Sequence, residues 1–156
     1  MPIVRVQEAD FDVGRELEAL TRGRNDVGAV ASFVGLVRDA NDGHSIHAMT
    51  LEHYPGMTEK ALAKIVDEAK ARWNIIDVLV VHRVGTLHPC DQIVLVIVSG
   101  AHRGEAFAAC EFVMDYLKTQ APFWKKEQTP AGGRWVDART SDDAAAERWA
   151  RQEKAQ

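Results

Sequence analysis

The chain has 156 residues, 46% of them hydrophobic and 27% charged, with a formal net charge of −4. That length suits one domain with a real core, and the acidic balance argues against a nucleic-acid binder, so any basic site must be a local concentration. The two cysteines, Cys90 and Cys110, form no CxxC pair and no zinc pattern, which argues against a disulfide framework and fits a reducing cytoplasm. No apolar run approaches a membrane span, and the opening MPIVRVQEADFD has no basic leader, so neither a membrane segment nor a targeting signal is expected.

Residues 2–7 alternate and predict a short strand. Asp10 or Asp12 can cap a helix that reaches about Arg22 through Leu17 and Leu20, where Gly23 stops it. Gly28 to Val37 (GAVASFVGLV) is small and apolar, as a buried strand is, and delivers Arg38 at its end. Asp39 to Ser45 is a polar loop with an Asp-Gly turn signal, and Ile46 to His53 predicts a second strand forming a hairpin with the first. After the turn Tyr54-Pro55-Gly56, Met57 to Trp73 predicts an amphipathic helix with Leu62, Ile65, Val66, Ala69 and Trp73 on one face. Ile76 to Val84 is the next strand and Thr86 to Asp91 turns the chain. Gln92 to Ser99 is so apolar that both faces of the strand are expected to be covered.

A helix from about Glu105 to Thr119 follows, with Ala106, Phe107, Cys110, Val113, Met114 and Leu117 as its buried stripe. The stretch Lys118 to Glu127 (KTQAPFWKKE) leaves that helix. Pro122 ends it, because proline lacks an N–H and biases the preceding residue away from helix, and the residues after it favour a strand. Pro130 to Gly133 turns the chain into a strand from Arg134 to Ala138. Ser141 starts a polar, Ala-rich helix through Trp149, and the last residues are expected to fray. The order predicts a mixed α+β fold with mainly antiparallel pairing, in one domain spanning 1–156. There is no GxGxxG motif and no Walker loop.

Cations stand at four element ends: Arg38 after a strand, His102 and Arg103 before a helix, Lys118 at that helix's end, and Lys125 and Lys126 at a strand start. Arginine suits bidentate phosphate recognition. Lysine serves as a point charge or, with its pKa lowered, as a proton donor or nucleophile. The free N–H groups at the start of the second long helix, beside His102 and Arg103, suit an anion. Glu127 can orient a lysine or balance charge. Taken singly, each residue has a plainer reading: Arg38 as surface, Lys118 as a helix-dipole partner, His102 as a cap. Only convergence makes them a site. His44, His47 and His53 are too loosely spaced for a metal site, and His82 and His88 merely flank a turn. There is no GxSxG elbow, and no metal or cofactor is expected.

Three blocks then identify a family: LEHYPGMTEKAL at Leu51 to Leu62, AHRGEAF at Ala101 to Phe107, and MDYLKTQAPFWKKE at Met114 to Glu127, with RWVDAR at Arg134 to Arg139. The chain closely resembles the large, catalytic subunit of molybdopterin synthase over about Gly28 to Trp149. The resemblance implies an α/β hammerhead fold with an additional antiparallel β-sheet. It also implies a homodimer that binds a small ubiquitin-like subunit at each end, giving a heterotetramer. The small subunit's C-terminal Gly-Gly thiocarboxylate would supply two sulfurs to cyclic pyranopterin monophosphate (precursor Z), making the dithiolene of molybdopterin. The implied pocket comprises Leu36, Val37, Arg38, His102, Arg103, Lys118, Lys125, Lys126 and Glu127, with Lys118 and Lys125 catalytic. Because that family's pocket lies near the dimer seam, His102 and Arg103 can serve the neighbouring subunit. Gly100 and Lys126 depart slightly from the family pattern, which bears on affinity. The other readings of the same cations are a phosphate- or nucleotide-sensing module and a scaffold for a ubiquitin-like tail.

Overall fold

The structure is a computed structural model and describes residues 3–41, 44–45, 47–130, 132–136 and 140–155. One four-stranded sheet is built around β8 (Gln92–Gly100). Its order is β1 (Val4–Gln7), β6 (Ile75–Arg83), β8, β2 (Ala29–Leu36). β6 and β2 both run antiparallel to β8, whereas β1 joins β6 in parallel. Side chains alternate along a strand, so the unbroken apolar run of β8 needs cover on both faces. Val94, Val96 and Val98, with Val78 and Val80 of β6, face one layer, formed by α2 (Met57–Arg72) and α3 (Arg103–Gln120). Leu95 and Ile97, with Leu79 and Val81, face α1 (Val13–Thr21) through Leu17 and Leu20. Each such side chain contributes about 1.5–3 kcal/mol by leaving water. Asp12 caps α1 by accepting from the Arg15 N–H at 3.0 Å.

The second sheet is antiparallel throughout, in the order β10 (Gly132–Val136), β9 (Phe123–Thr129), β5 (Ala48–His53), β7 (Gly85–Leu87). A third apolar cluster of Val37, Met49, Leu51, Val84 and Leu87, with Val6, Ile93 and Phe123 against it, joins this sheet to the first. The final helix, α4 (Thr140–Ala155), returns Trp149 to the helical layer, against the rings of Trp73 and Phe112.

Several expectations need correcting. The strands after Gly28 and Ile46 do not form a hairpin: β2 pairs with β8, and β5 with β9 and β7. The apolar edge of β8 outcompetes the local partner. Within the intervening loop a small hairpin forms instead, from β3 (Ala40–Asn41) and β4 (His44–Ser45). The Asp42-Gly43 turn between them lies outside the described residues. β2 is an edge strand and not fully buried, for Val30, Phe33 and Leu36 are exposed. Thr86 and Leu87, read as part of a turn, belong to the strand Gly85–Leu87, in which Leu87 is buried opposite Met49. Phe107 is 65% exposed, while Ala109, Phe112 and Tyr116 take up the buried face of α3. That helix begins at Arg103, and α4 continues past Trp149 to Ala155. β10 begins at Gly132, earlier than expected, and Asp137 and Ala138 at its predicted end lie outside the described residues.

Candidate active site

The corner from Lys118 to Glu127 is built by a helix stop and held by its surroundings. Ala121 closes α3 in an extended conformation, Pro122 follows, and β9 starts at Phe123. The buried Thr58 hydroxyl donates to the Pro122 carbonyl at 3.1 Å and accepts from the Tyr54 N–H at 3.1 Å, tying the corner to the start of α2. The two aromatics brace opposite sides. Phe123 stacks on His82 with centroids 3.9 Å apart and planes 19° from parallel, and Trp124 meets Tyr54 edge-on at 4.2 Å.

Alternation along β9 sorts the charged residues. Phe123, Lys125 and Glu127 share one face, and Lys126 lies on the other. Across the ladder, Phe123, Lys125 and Glu127 stand opposite His53, Leu51 and Met49 of β5. Glu127 is buried, and its carboxylate lies 3.7 Å from the Lys125 ammonium. A buried carboxylate without a nearby cation is costly, so the pair fixes where Lys125 stands.

Val37 packs in the same cluster as Met49 and Leu51, which brings the Leu36–Arg38 segment to this end of the molecule. Two devices place it there. The β2–β8 register slips between Gly35 and Leu36, and such a bulge re-aims the residues that follow. Beyond it, the Val37 N–H donates to the Asp91 carbonyl and the Cys90 N–H donates to the Val37 carbonyl, both at 2.9 Å. Cys90 therefore sits in the turn that clamps this segment, closer to it than the sequence suggests, and its thiol is exposed. Val37 is buried, while Leu36 and Arg38 are exposed. Cys110, by contrast, is in the core, and burial pushes its thiol up to about 11, so it stays protonated at neutral pH.

His82 is the residue that sequence reasoning missed. It is 4% exposed, in a strand otherwise made of Val and Leu at that depth. Its Nδ1 lies 2.8 Å from the Arg83 carbonyl, so Nδ1–H donates and Nε2 carries the lone pair. Burial holds its pKa down to about 4 against that hydrogen bond, and the charges of Lys118 and His53 push the same way. The sign that could have revealed it is a histidine inside an all-apolar strand.

The sites do not all meet within one chain. Lys118, Lys125, Glu127 and the segment from Leu36 to Arg38 lie toward the Gln92 end of β8. His102 and Arg103 follow its Gly100 end, and α3 runs back from there. Arg103 and Lys118 are separated by the length of one helix, about 22 Å at 1.5 Å per residue. His102 and Arg103 are both exposed, and His102 makes no side-chain cap to the helix.

The family model described as MoaE protein matches residues 6–120. The molybdopterin synthase catalytic subunit of Ralstonia nicotianae is 68% identical over 149 residues, covering 96% of this chain and 85% of the relative. That of Escherichia coli is 60% identical over 139 residues, covering 89% and 92%. Among solved structures, a molybdopterin biosynthesis MoaE protein from Burkholderia ambifaria superposes with a TM-score of 0.82 at 61% identity, covering 96% of this chain and 99% of that one. The chain belongs to the MoaE family. Its activity is that of the catalytic subunit of molybdopterin synthase, a sulfurtransferase of molybdenum cofactor biosynthesis.

Proposed function

We propose that the pocket built on Lys118, Lys125, Glu127 and the segment from Leu36 to Arg38 moves two sulfurs, one after the other, onto precursor Z. The donor is the C-terminal Gly-Gly thiocarboxylate of a small ubiquitin-like subunit, and the product is the dithiolene of molybdopterin. What supports this reading is that the charge of Lys118 reaches His82, whose ring stacks on Phe123, two residues before Lys125 on the same face of β9. Arg38 binds the phosphate. The two lysines stabilise the negative charge that develops as sulfur attacks and the cyclic phosphate opens, and they serve the proton transfers. Lys118 lies nearest the partner's tail, and Glu127 completes the wall beside Lys125, while Lys126 lies on the opposite face of β9. The nucleophilic sulfur arrives on the partner, so neither cysteine is needed as a nucleophile.

The length of α3 supports a two-chain pocket. His102 and Arg103 are too far from their own Lys118 and complete the site of a second copy of this chain. The assembly is then a homodimer carrying two small subunits. It works in the cytoplasm. Among the described residues no helix is long and apolar enough to cross a membrane.

The test mixes the protein with precursor Z and the thiocarboxylated small subunit and follows dithiolene formation. Folded protein that yields no product overturns the reading. Lys118→Ala is expected to lower turnover by about 100-fold or more, as loss of one preorganised charge partner does, with an unchanged circular dichroism spectrum. Near-normal turnover would refute the role of Lys118.

A further inference from the structure

Three elements meet at His82. It lies on β6, the edge of β9 begins against its ring, and the C-terminal end of α3 places the charge of Lys118 near it. The ring is not there to fill space. A valine or leucine would suit the strand better, since an imidazole in an apolar layer must have its N–H satisfied. Here the Arg83 carbonyl satisfies it, and this contact fixes the ring plane and the tautomer. The fixed plane then meets Phe123 face to face, at 3.9 Å and 19°.

Phe123 is the first residue of β9 and shares its face with Lys125, two residues on. It also opposes His53 across the ladder, and His53 lies 3.8 Å from the Glu59 carboxylate, whose other oxygen accepts from the Gly56 N–H at 2.6 Å. The ring pair thus has the charges of Lys118 from α3 and His53 from β5 near it, with Glu59 of α2 behind His53 and the Arg83 carbonyl of its own strand holding the imidazole. We propose that His82 is a positioning residue for the sulfur-transfer site. By stacking on Phe123 beneath the end of α3, it sets the start of β9, and so where Lys125 stands relative to Lys118. This rests on the assignment of those two lysines as the working pair.

The inference predicts which feature of His82 matters. Stacking needs a flat ring in that plane, so His82→Phe keeps the function and His82→Gln, which keeps polarity and loses the ring, does not. Removing the other half of the stack, with Phe123→Leu, has the same effect from β9. In the complete synthase reaction, His82→Gln and Phe123→Leu are each expected to lower kcat at least about tenfold, with KM for precursor Z within about threefold. His82→Phe is expected to stay within about threefold of the parent in both. A purely structural role would instead lower Tm and leave kcat unchanged below the melting range. If His82→Gln does not fold, Phe123→Leu and His82→Phe carry the test. Normal kcat in folded His82→Gln or Phe123→Leu overturns the proposal, as does a folded His82→Phe in which kcat falls by tenfold or more. Lys118→Ala run alongside separates the two readings. If it is inactive while the His82 and Phe123 variants are normal, only the positioning role fails; if it too is normal, the lysine assignment fails.

Discussion

Cys90 adopts a φ of 78°, the one positive value outside glycine among the described residues. It follows Pro89 in a turn closed by the Asp91 N–H donating to the His88 carbonyl at 2.9 Å, the position where a type II turn asks for glycine. Left-handed backbone costs a side-chain-bearing residue about 1–2 kcal/mol, part of which glycine returns through a freer unfolded chain. Cys90→Gly is therefore expected to raise stability by up to about 1 kcal/mol in urea unfolding and to keep sulfur transfer intact. Cys90→Val is expected to lower stability. His82 makes a separate prediction. Its folded pKa of about 4 lies below the ordinary value of 6.5, so the unfolded chain takes up the proton first. Its contribution is complete above pH ~6.5 and is lost as the pH falls towards 4, about 3 kcal/mol in all. The slope of stability against pH in that window should be shallower in His82→Phe, where there is nothing to titrate. At this scale the sequence was only partly legible. Arg38, Lys118 and Lys125 stand out by charge at element ends. His82 looks idle in a list of histidines, because burial and stacking are made by strands far apart in the chain.

Among the elements, α4 shows how a polar-looking segment can belong to the core. Trp149 is 6% exposed, stands edge-on to Trp73 at 5.4 Å, and donates its indole N–H to Asp115 of α3 at 2.6 Å. Trp149→Ala is expected to cost about 3–5 kcal/mol, as emptying a large aromatic site does, measured as a lowered urea midpoint. The long amphipathic α2 and the all-apolar β8 were readable because each carries its own periodicity. The partners of β2 and β5 were not. Local sequence favours a hairpin between them, whereas the decisive term is which strand covers the open side of β8, a pairing between residues some sixty positions apart. Gly28 records that pairing: a Cβ there would collide with the Ala101 carbonyl oxygen, so the close approach at the end of β2 requires glycine.

For the whole molecule, the separation of Lys118 from His102 and Arg103 leads to a test by mixing. A chain carrying Lys118→Ala and another carrying His102→Ala are each expected to be nearly inactive. Combined after dissociation, they form dimers in which one pocket has lost both groups and the other retains both. A random mixture should recover about a quarter of the parent activity, as two-fold symmetry requires. Pockets completed within one chain would recover none. The family resemblance made a shared pocket an expectation, and the length of the helix between the two groups supports it.

The same helix carries a constraint on how this chain can change. Each residue advances an α-helix by 1.5 Å and turns it by about 100°. With the two-chain pocket proposed above, inserting or deleting one residue anywhere between Arg103 and Lys118 would swing one end away from its pocket while the other stayed in place. The middle of α3 is ordinary core, open to substitution by side chains of similar volume. On that proposal its length is set from both ends at once, so it should tolerate exchange but not a change in count.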